Sequence, residues 1–201
     1  MTWNIEEFPR FDTLTVSAVS QAIKALDIDI IGMQEIKSAT AFQQLLDSLG
    51  SWDGYRSNNA RYDINLAFVY NPANITVNQY YEIFRNEDAF PRPPLVIELE
   101  WQNVPIIVIN NHFKAMGDED SQNHRLQACT LLEEYIRTNL ADDNVIVIGD
   151  LNDELTDAQS VNVFWPFLSQ PSAYKFADYS IAQGSSKYWS YPTWPSHIDH
   201  I

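Results

Sequence analysis

A mixed α/β layer architecture is the fold class that this 201-residue sequence predicts. Three observations predict it. Strand and helix patterns alternate in the first part of the chain, and strand patterns come in pairs later. Short apolar runs at Ile30-Ile31, Ile106–Ile109 and Val145–Ile148 are β-branched and show no polar alternation, as in strands buried on both faces. A chain of this length fits one domain, residues 1–201, which removes about 70% of its unfolded surface from water.

The elements follow in order. Val16, Val19, Ile23 and Leu26 recur at spacings of three and four, predicting a helix over 13–26 with Asp12 or Thr13 as its cap. Residues 28–36 read as a buried strand. Ser38 caps a second helix over 39–49, with Phe42, Leu45, Leu46 and Leu49 apolar and Gly50 as the stop. Residues 64–70 form a strand closed by Asn71-Pro72, and 75–83 and 94–101 read as two more. A turn at Gln102-Asn103 links 94–101 to a strand over 104–111 as a hairpin. Ser121 to Asn139 reads as a long helix with Leu126, Cys129, Leu132, Ile136 and Leu140 on one stripe. After a fully buried strand at 144–149 the chain becomes irregular and aromatic, with Phe164, Trp165, Phe167, Trp189, Tyr191 and Trp194 among prolines.

The net charge of −15 argues against a broad basic surface for nucleic acid. A polyanionic substrate would need a divalent metal and a few local cations to approach. The single cysteine, Cys129, excludes an intrachain disulfide and reads as a small core residue. There is no signal-peptide pattern and no run of 18 apolar residues.

The strand ends carry the chemistry. Gly149-Asp150-Leu151-Asn152 delivers a carboxylate and a carboxamide to a sheet rim, where ligands bind in layered α/β folds. Gln34-Glu35 ends a second run, Asn111-His112 a third, and Asn4 and Asp199 lie near the two ends of the chain. Each residue has an ordinary structural reading: a Glu opening a loop, a buried Asn, a structural His, an Asp in a turn. Their repetition at several strand ends favours a convergent site. Glu35 suits a hard divalent cation such as Mg²⁺. Asn4 and Asn152 can donate to phosphate oxygens or orient a water. His112 can donate to an anionic oxygen, and Asp150 can take a proton from water or hold that water against a metal. Asp199 can orient a histidine. The sequence has no zinc-protease spacing, no G-x-S-x-G elbow and no P-loop. Metal-assisted attack of water on a phosphate ester fits the set.

In order, Trp3-Asn4-Ile5, Gln34-Glu35-Ile36, Asn111-His112-Phe113, Gly149-Asp150-Leu151-Asn152 and Ile198-Asp199-His200 resemble the endonuclease/exonuclease/phosphatase superfamily. Ala67–Pro72 resembles the strand after the family's Gln-Glu motif, and Arg92-Pro93-Pro94 the phosphate-contacting Arg of its deoxyribonuclease-like branch. The resemblance implies an α+β fold of two packed mixed β-sheets flanked by helices, a four-layer sandwich with the site at one rim. It implies metal ligation by Glu35 with Asn4 beside it, a water positioned by Asp150 and Asn152, and phosphate contacts from His112, Arg92 and Asn4. Asp199 would support a catalytic histidine further on, with His197 and His200 in place of the family's usual Arg and Tyr. The family closes with a Ser-Asp-His motif beyond this point, so the resemblance implies a chain without its final strands and its terminal catalytic His, and leaves open a missing upstream part.

The function implied is a phosphodiesterase dependent on Mg²⁺, with Mn²⁺ or Ca²⁺ as alternatives, acting on nucleic acid as a secreted-type nuclease. Secretion or a periplasmic location is favoured by resemblance to bacterial extracellular nucleases, and a monomer is expected. The alternatives are a lipid phosphodiesterase or phosphatase of sphingomyelinase or inositol-phosphatase type, and an inactive fragment that keeps the fold.

Overall fold

In the computed structural model, which describes residues 1–191 and 193–201, two sheets pack face to face. The first has the order β1-β2-β4-β3, from Thr2–Phe8, Ile30–Ile36, Asn65–Tyr70 and Asp53–Arg56. The second has the order β5-β6-β7-β8-β9, from Ile75–Glu82, Leu95–Trp101, Val104–His112, Val145–Asp150 and Asp199–His200. Both mix parallel and antiparallel pairs, and among the described residues neither closes into a barrel. Helices α1 (Asp12–Ala25) and α2 (Ala39–Leu49) cover the first sheet, and α3 (Glu119–Asn139) covers the second. Two short helices, α4 (Trp165–Leu168) and α5 (Tyr179–Ala182), lie in the aromatic C-terminal stretch. Among the described residues no helix is long and apolar enough to cross a membrane.

Side-chain alternation separates the layers. Leu66, Phe68 and Tyr70 of β4 face the other sheet, where Leu95, Ile97, Leu99, Val108 and Ile148 meet them. Ala67 and Val69 face outward, with Ile31 and Met33, onto α1 and α2. Val96, Ile107 and Ile109 face the α3 side. Residues one apart along a strand thus serve two different cores, which is why these runs lack polar alternation.

Ser38 caps α2 as expected, its hydroxyl accepting from the Ala41 amide at 3.1 Å, and Gly50 ends the helix at φ 78°. The hairpin turn falls at Gln102-Asn103, both in the left-handed region. Three expectations need correction. Neither Asp12 nor Thr13 caps α1: Asp12 is already in its first turn, Phe11 takes the cap position, and the Phe11 amide donates to Thr15 Oγ1. Leu126 is exposed, and Ser121 and Arg125 stand on the buried face of α3 instead, because Asp118 caps the helix earlier and Arg125 turns inward to Asp153. The strand after α3 is not buried throughout. Ile146 is exposed, since β9 pairs only with Gly149 and Asp150 and leaves the first half of β8 uncovered on that side. The short strand β3 had no sequence signal beyond Gly54-Tyr55.

The sheets are joined by a polar clamp inside the apolar interface. Gln34 and Asn110 are both fully buried, and Gln34 Nε2 donates to Asn110 Oδ1 at 2.7 Å. Asn110 Nδ2 donates in turn to the carbonyls of Met33 and Ala67. Gly32 lies beside the clamp, and a Cβ there would meet Ile148 Cδ1 at 2.4 Å, so the sheets approach closely because this position has no side chain.

Gln34→Met and Asn110→Leu each strand one buried amide and are expected to cost about 1–3 kcal/mol in urea unfolding. The double variant, which strands neither, is expected to cost clearly less than the sum. Strict additivity would show that the two amides do not support one another.

Candidate active site

Two irregularities in the first sheet shape the site. Between Asn4 and Phe8, β1 spends four residues while its partner β2 spends two, Gln34 to Ile36. Between Met33 and Ile36, β2 carries one extra residue relative to β4. Glu35 sits in this bulge at φ 64°, and Glu6 and Glu7 are also left-handed. A bulge re-aims side chains at a sheet edge. Here it turns Glu35 toward Asn4.

The second sheet supplies the rest by register. His112 pairs with Asp150 across β7 and β8, and Asp150 pairs with Asp199 across β8 and β9. Three neighbouring strands thus place His112, Asp150 and Asp199 side by side. Gly149 makes this packing possible. Its φ is 150°, and a Cβ would lie 2.1 Å from the Asn111 carbonyl oxygen.

Asn4 joins the two sets. Its Nδ2 donates to Glu35 Oε1 at 3.0 Å and to Asp150 Oδ2 at 2.8 Å, bridging the sheets. Its Oδ1 accepts from the Glu6 amide, so Asn4 presents its amino group, not its carbonyl, to the centre. Glu35 Oε2 accepts from the Glu7 amide, and Asp150 Oδ1 accepts from the Asn152 amide. His112 Nε2 stands 3.9 Å from Glu35 Oε1 and 3.8 Å from Asp150 Oδ2. Those distances exceed hydrogen-bond range. Asn152, left-handed at φ 54°, donates from Nδ2 to the Phe113 carbonyl, and Arg92 Nη1 donates to the same oxygen. All seven residues singled out in the sequence lie in one constellation: Asn4, Glu35, Arg92, His112, Asp150, Asn152 and Asp199. His200 faces away from it, packed edge-on against Phe164 and Phe176.

Electrostatics set the protonation states. Burial, and secondarily Arg92, push the His112 imidazole down to about 3, so it is neutral. The negative charge of the two carboxylates facing Nε2 favours the proton there, and Nδ1, buried without a partner among the described residues, is then the bare nitrogen. His112 is therefore a neutral hydrogen-bond donor. Burial raises the Asp150 carboxyl, with the charge of Asp199 the next cause. Asp199 is raised as well, by burial, and its Oδ1 is buried without a partner. Burial lowers Arg92, while Glu35 and Asp150 act to keep it charged.

Three carboxylates with one guanidinium beside them leave negative charge uncompensated. An all-oxygen donor set of Glu35, Asp150 and Asp199 is the chemistry that a hard divalent ion requires. In kind these donors suit a hard divalent ion, although their ligand atoms are less closely gathered than those of Asp178, His197 and His200.

Sequence reasoning missed the supports. Arg125 Nε donates to Asp153 Oδ2 at 2.8 Å, and its Nη1 donates to the carbonyls of Lys114 and Met116. This buried pair fixes the loops after His112 and after Asn152. Its signal was present: a charged residue on the apolar face of a helix.

Solved structures share this fold. A structure of zebrafish TDP2 with a single-strand DNA product is 16% identical with a TM-score of 0.64, covering 81% of this chain and 62% of that one. A conserved protein of unknown function from Enterococcus faecalis is 19% identical with a TM-score of 0.68, covering 99% and 84%. The mannosyl-6-phosphatase Bt3783 of Bacteroides thetaiotaomicron is 16% identical with a TM-score of 0.57, covering 77% and 61%. The chain thus spans about three-fifths of the TDP2 and mannosyl-6-phosphatase chains. No curated protein sequence matches significantly. The model of the endonuclease/exonuclease/phosphatase family matches residues 1–201, and the chain belongs to that family.

Proposed function

We propose that this protein is a divalent-metal-dependent phosphodiesterase whose substrate is nucleic acid, cleaved by attack of water. One observation carries the proposal: Glu35 and Asp150, from different sheets, share the Asn4 amino group, with the neutral His112 Nε2–H opposite both. The bound ion would neutralise developing charge on the phosphate and lower the pKa of water. The protein groups do the rest. Asn4 fixes the spacing of the two carboxylates. His112 and Arg92 donate to phosphate oxygens. Asp150, its basicity raised by burial, accepts the proton of the attacking water, and Asn152 holds Asp150 through its backbone amide. Asp199 keeps Asp150 basic by like charge. The zebrafish TDP2 structure with its single-strand DNA product supports a nucleic-acid substrate.

A second reading, a phosphatase or lipid phosphodiesterase, is favoured by the net charge of −15, which repels a long polyanion more than a small phosphate ester. Parallel assays on bis(p-nitrophenyl) phosphate, p-nitrophenyl phosphate and a single-stranded oligonucleotide, with Mg²⁺ or EDTA, separate the readings. Hydrolysis of the diester and the oligonucleotide, abolished by EDTA, is the expected result. Turnover of the monoester alone would select the second reading, and EDTA-insensitive turnover would refute both.

Asp150→Asn is expected to lower kcat about 10²–10⁴-fold with little change in KM. The same substitution should stabilise the fold at pH 8. A carboxyl whose folded pKa is raised contributes stability at low pH that is lost as pH rises through the folded value. The thermal advantage of the variant should therefore vanish near pH 4. A variant less stable than wild type at pH 8 would contradict the burial argument.

His112 has the opposite sign. Its folded pKa lies below the unfolded 6.5, so wild type loses stability as pH falls from about 6.5 toward about 3. His112→Gln should flatten this part of the stability–pH curve in urea titrations. An unchanged curve would show that His112 is not buried neutral.

A further inference from the structure

A second cluster of ligating side chains lies behind the site. Asp178, at the start of α5, meets His197 and His200, which flank Ile198-Asp199. All three are buried, and their ligand atoms lie within 4.8 Å of one another. One oxygen, Asp178 Oδ2, stands 2.9 Å from His197 Nε2 and 2.7 Å from His200 Nδ1. Asp178 Oδ1 accepts from the Ile201 amide.

Hydrogen-bond accounting shows what is missing. His200 Nε2 lies 2.9 Å from the Asp153 carbonyl oxygen, which only accepts. That nitrogen therefore carries its proton. A neutral His200 then turns the lone pair of Nδ1 against a carboxylate oxygen at 2.7 Å, which is repulsive unless a cation lies between them. His197 Nδ1 is buried without a partner among the described residues, so only Asp178 Oδ2, at 2.9 Å from Nε2, acts on the protonation of this ring.

We propose that Asp178, His197 and His200 form a metal site distinct from the carboxylate centre, selective for a borderline ion of the Zn²⁺ class. The ligands would be His197 Nε2, His200 Nδ1 and Asp178 Oδ2, with the fourth position left to solvent. Two imidazoles and one carboxylate suit zinc, whereas the all-oxygen set around Glu35 suits magnesium. Tetrahedral bonds of about 2.0–2.2 Å place ligand atoms roughly 3.4 Å apart, so the carboxylate needs to withdraw by only about 0.5–0.7 Å. The outer contacts already match a metal-bound arrangement. The second nitrogen of a ligating histidine usually donates to a carbonyl or carboxylate, as His200 does to Asp153, and the second oxygen of Asp178 is held by a backbone amide.

The consequence concerns Asp199. Strand β9 has two residues, so its ladder alone holds Asp199 weakly. The ion would tie both flanking histidines to α5 and so fix the carboxylate that stands beside Asp150. The site needs no catalytic activity to be detected.

The test uses protein stripped with EDTA. Calorimetric titration with Zn²⁺ and the visible spectrum with Co²⁺ give two independent readouts. The expected result is one Zn²⁺ per chain, tetrahedral Co²⁺ bands in the wild type, and at least a tenfold loss of Zn²⁺ affinity in His197→Ala. Glu35→Gln should retain Zn²⁺ binding. Absence of tetrahedral Co²⁺ bands in the wild type would overturn the proposal whether or not His197→Ala folds. So would Zn²⁺ binding abolished by Glu35→Gln but kept by His197→Ala. The three groups would then be joined by protons alone, as an imidazolium–carboxylate triad.

Discussion

The amide clamp between Gln34 and Asn110 is the constraint on which this structure turns. Each residue lies just before a site position. Glu35 follows Gln34 in the bulge of β2, and Asn111-His112 follow Asn110 at the end of β7. The bond therefore fixes where the two sheets stop relative to one another, and the stop is where the chemistry gathers. Apolar packing alone specifies that two sheets stack but only loosely how they slide. A buried polar pair permits one alignment, because any other leaves an amide unsatisfied. Gly32 and Gly149 let backbones approach at the same level, so the clamp and the close contacts specify one geometry together.

That alignment forces like charges together. Asp150 is buried beside Asp199, with Glu35 near by, and burial raises the pKa of both aspartates. A fold selected for stability alone would not place three carboxylates against one guanidinium. Such crowding makes sense as stored basicity and as affinity for a cation. The Arg125–Asp153 pair and the Asp178 cluster do the opposite work. They hold the loops from behind: Arg125 is paired with Asp153, and Asp178 takes both His197 and His200 on one oxygen.

Most of the layer order was legible in the sequence, because Val145–Ile148, Ile106–Ile109 and residues 64–70 carry apolar runs without strict polar alternation, although Ile146 in the first of them is exposed. The candidate site residues Glu35, His112 and Asp150 stood out for the same reason, each lying within three residues of the end of an apolar run. What the sequence concealed is three-dimensional. Nothing in Gln34 distinguishes a clamp residue from a surface amide until Asn110 is seen opposite it. The left-handed Glu35 depends on a bulge that arises from register against two neighbouring strands. The Asp12 cap failed because Thr15 bonds back to Phe11 and draws the helix start one residue earlier. Leu126 failed because the Asp118 cap and the inward pull on Arg125 set which face of α3 is buried.

The central claim is that the junction of the two sheets is a cation-binding phosphoester site organised by Asn4. The most direct test follows the Asn4 side-chain amide and the His112 ring by NMR as Mn²⁺ is added in sub-stoichiometric amounts. Paramagnetic broadening falls off steeply with distance from the ion. The account predicts that these two signals broaden together and first, ahead of those of His197 and His200, and that Glu35→Gln removes the effect. Broadening that begins elsewhere, or that survives the loss of the Glu35 carboxylate, would contradict it.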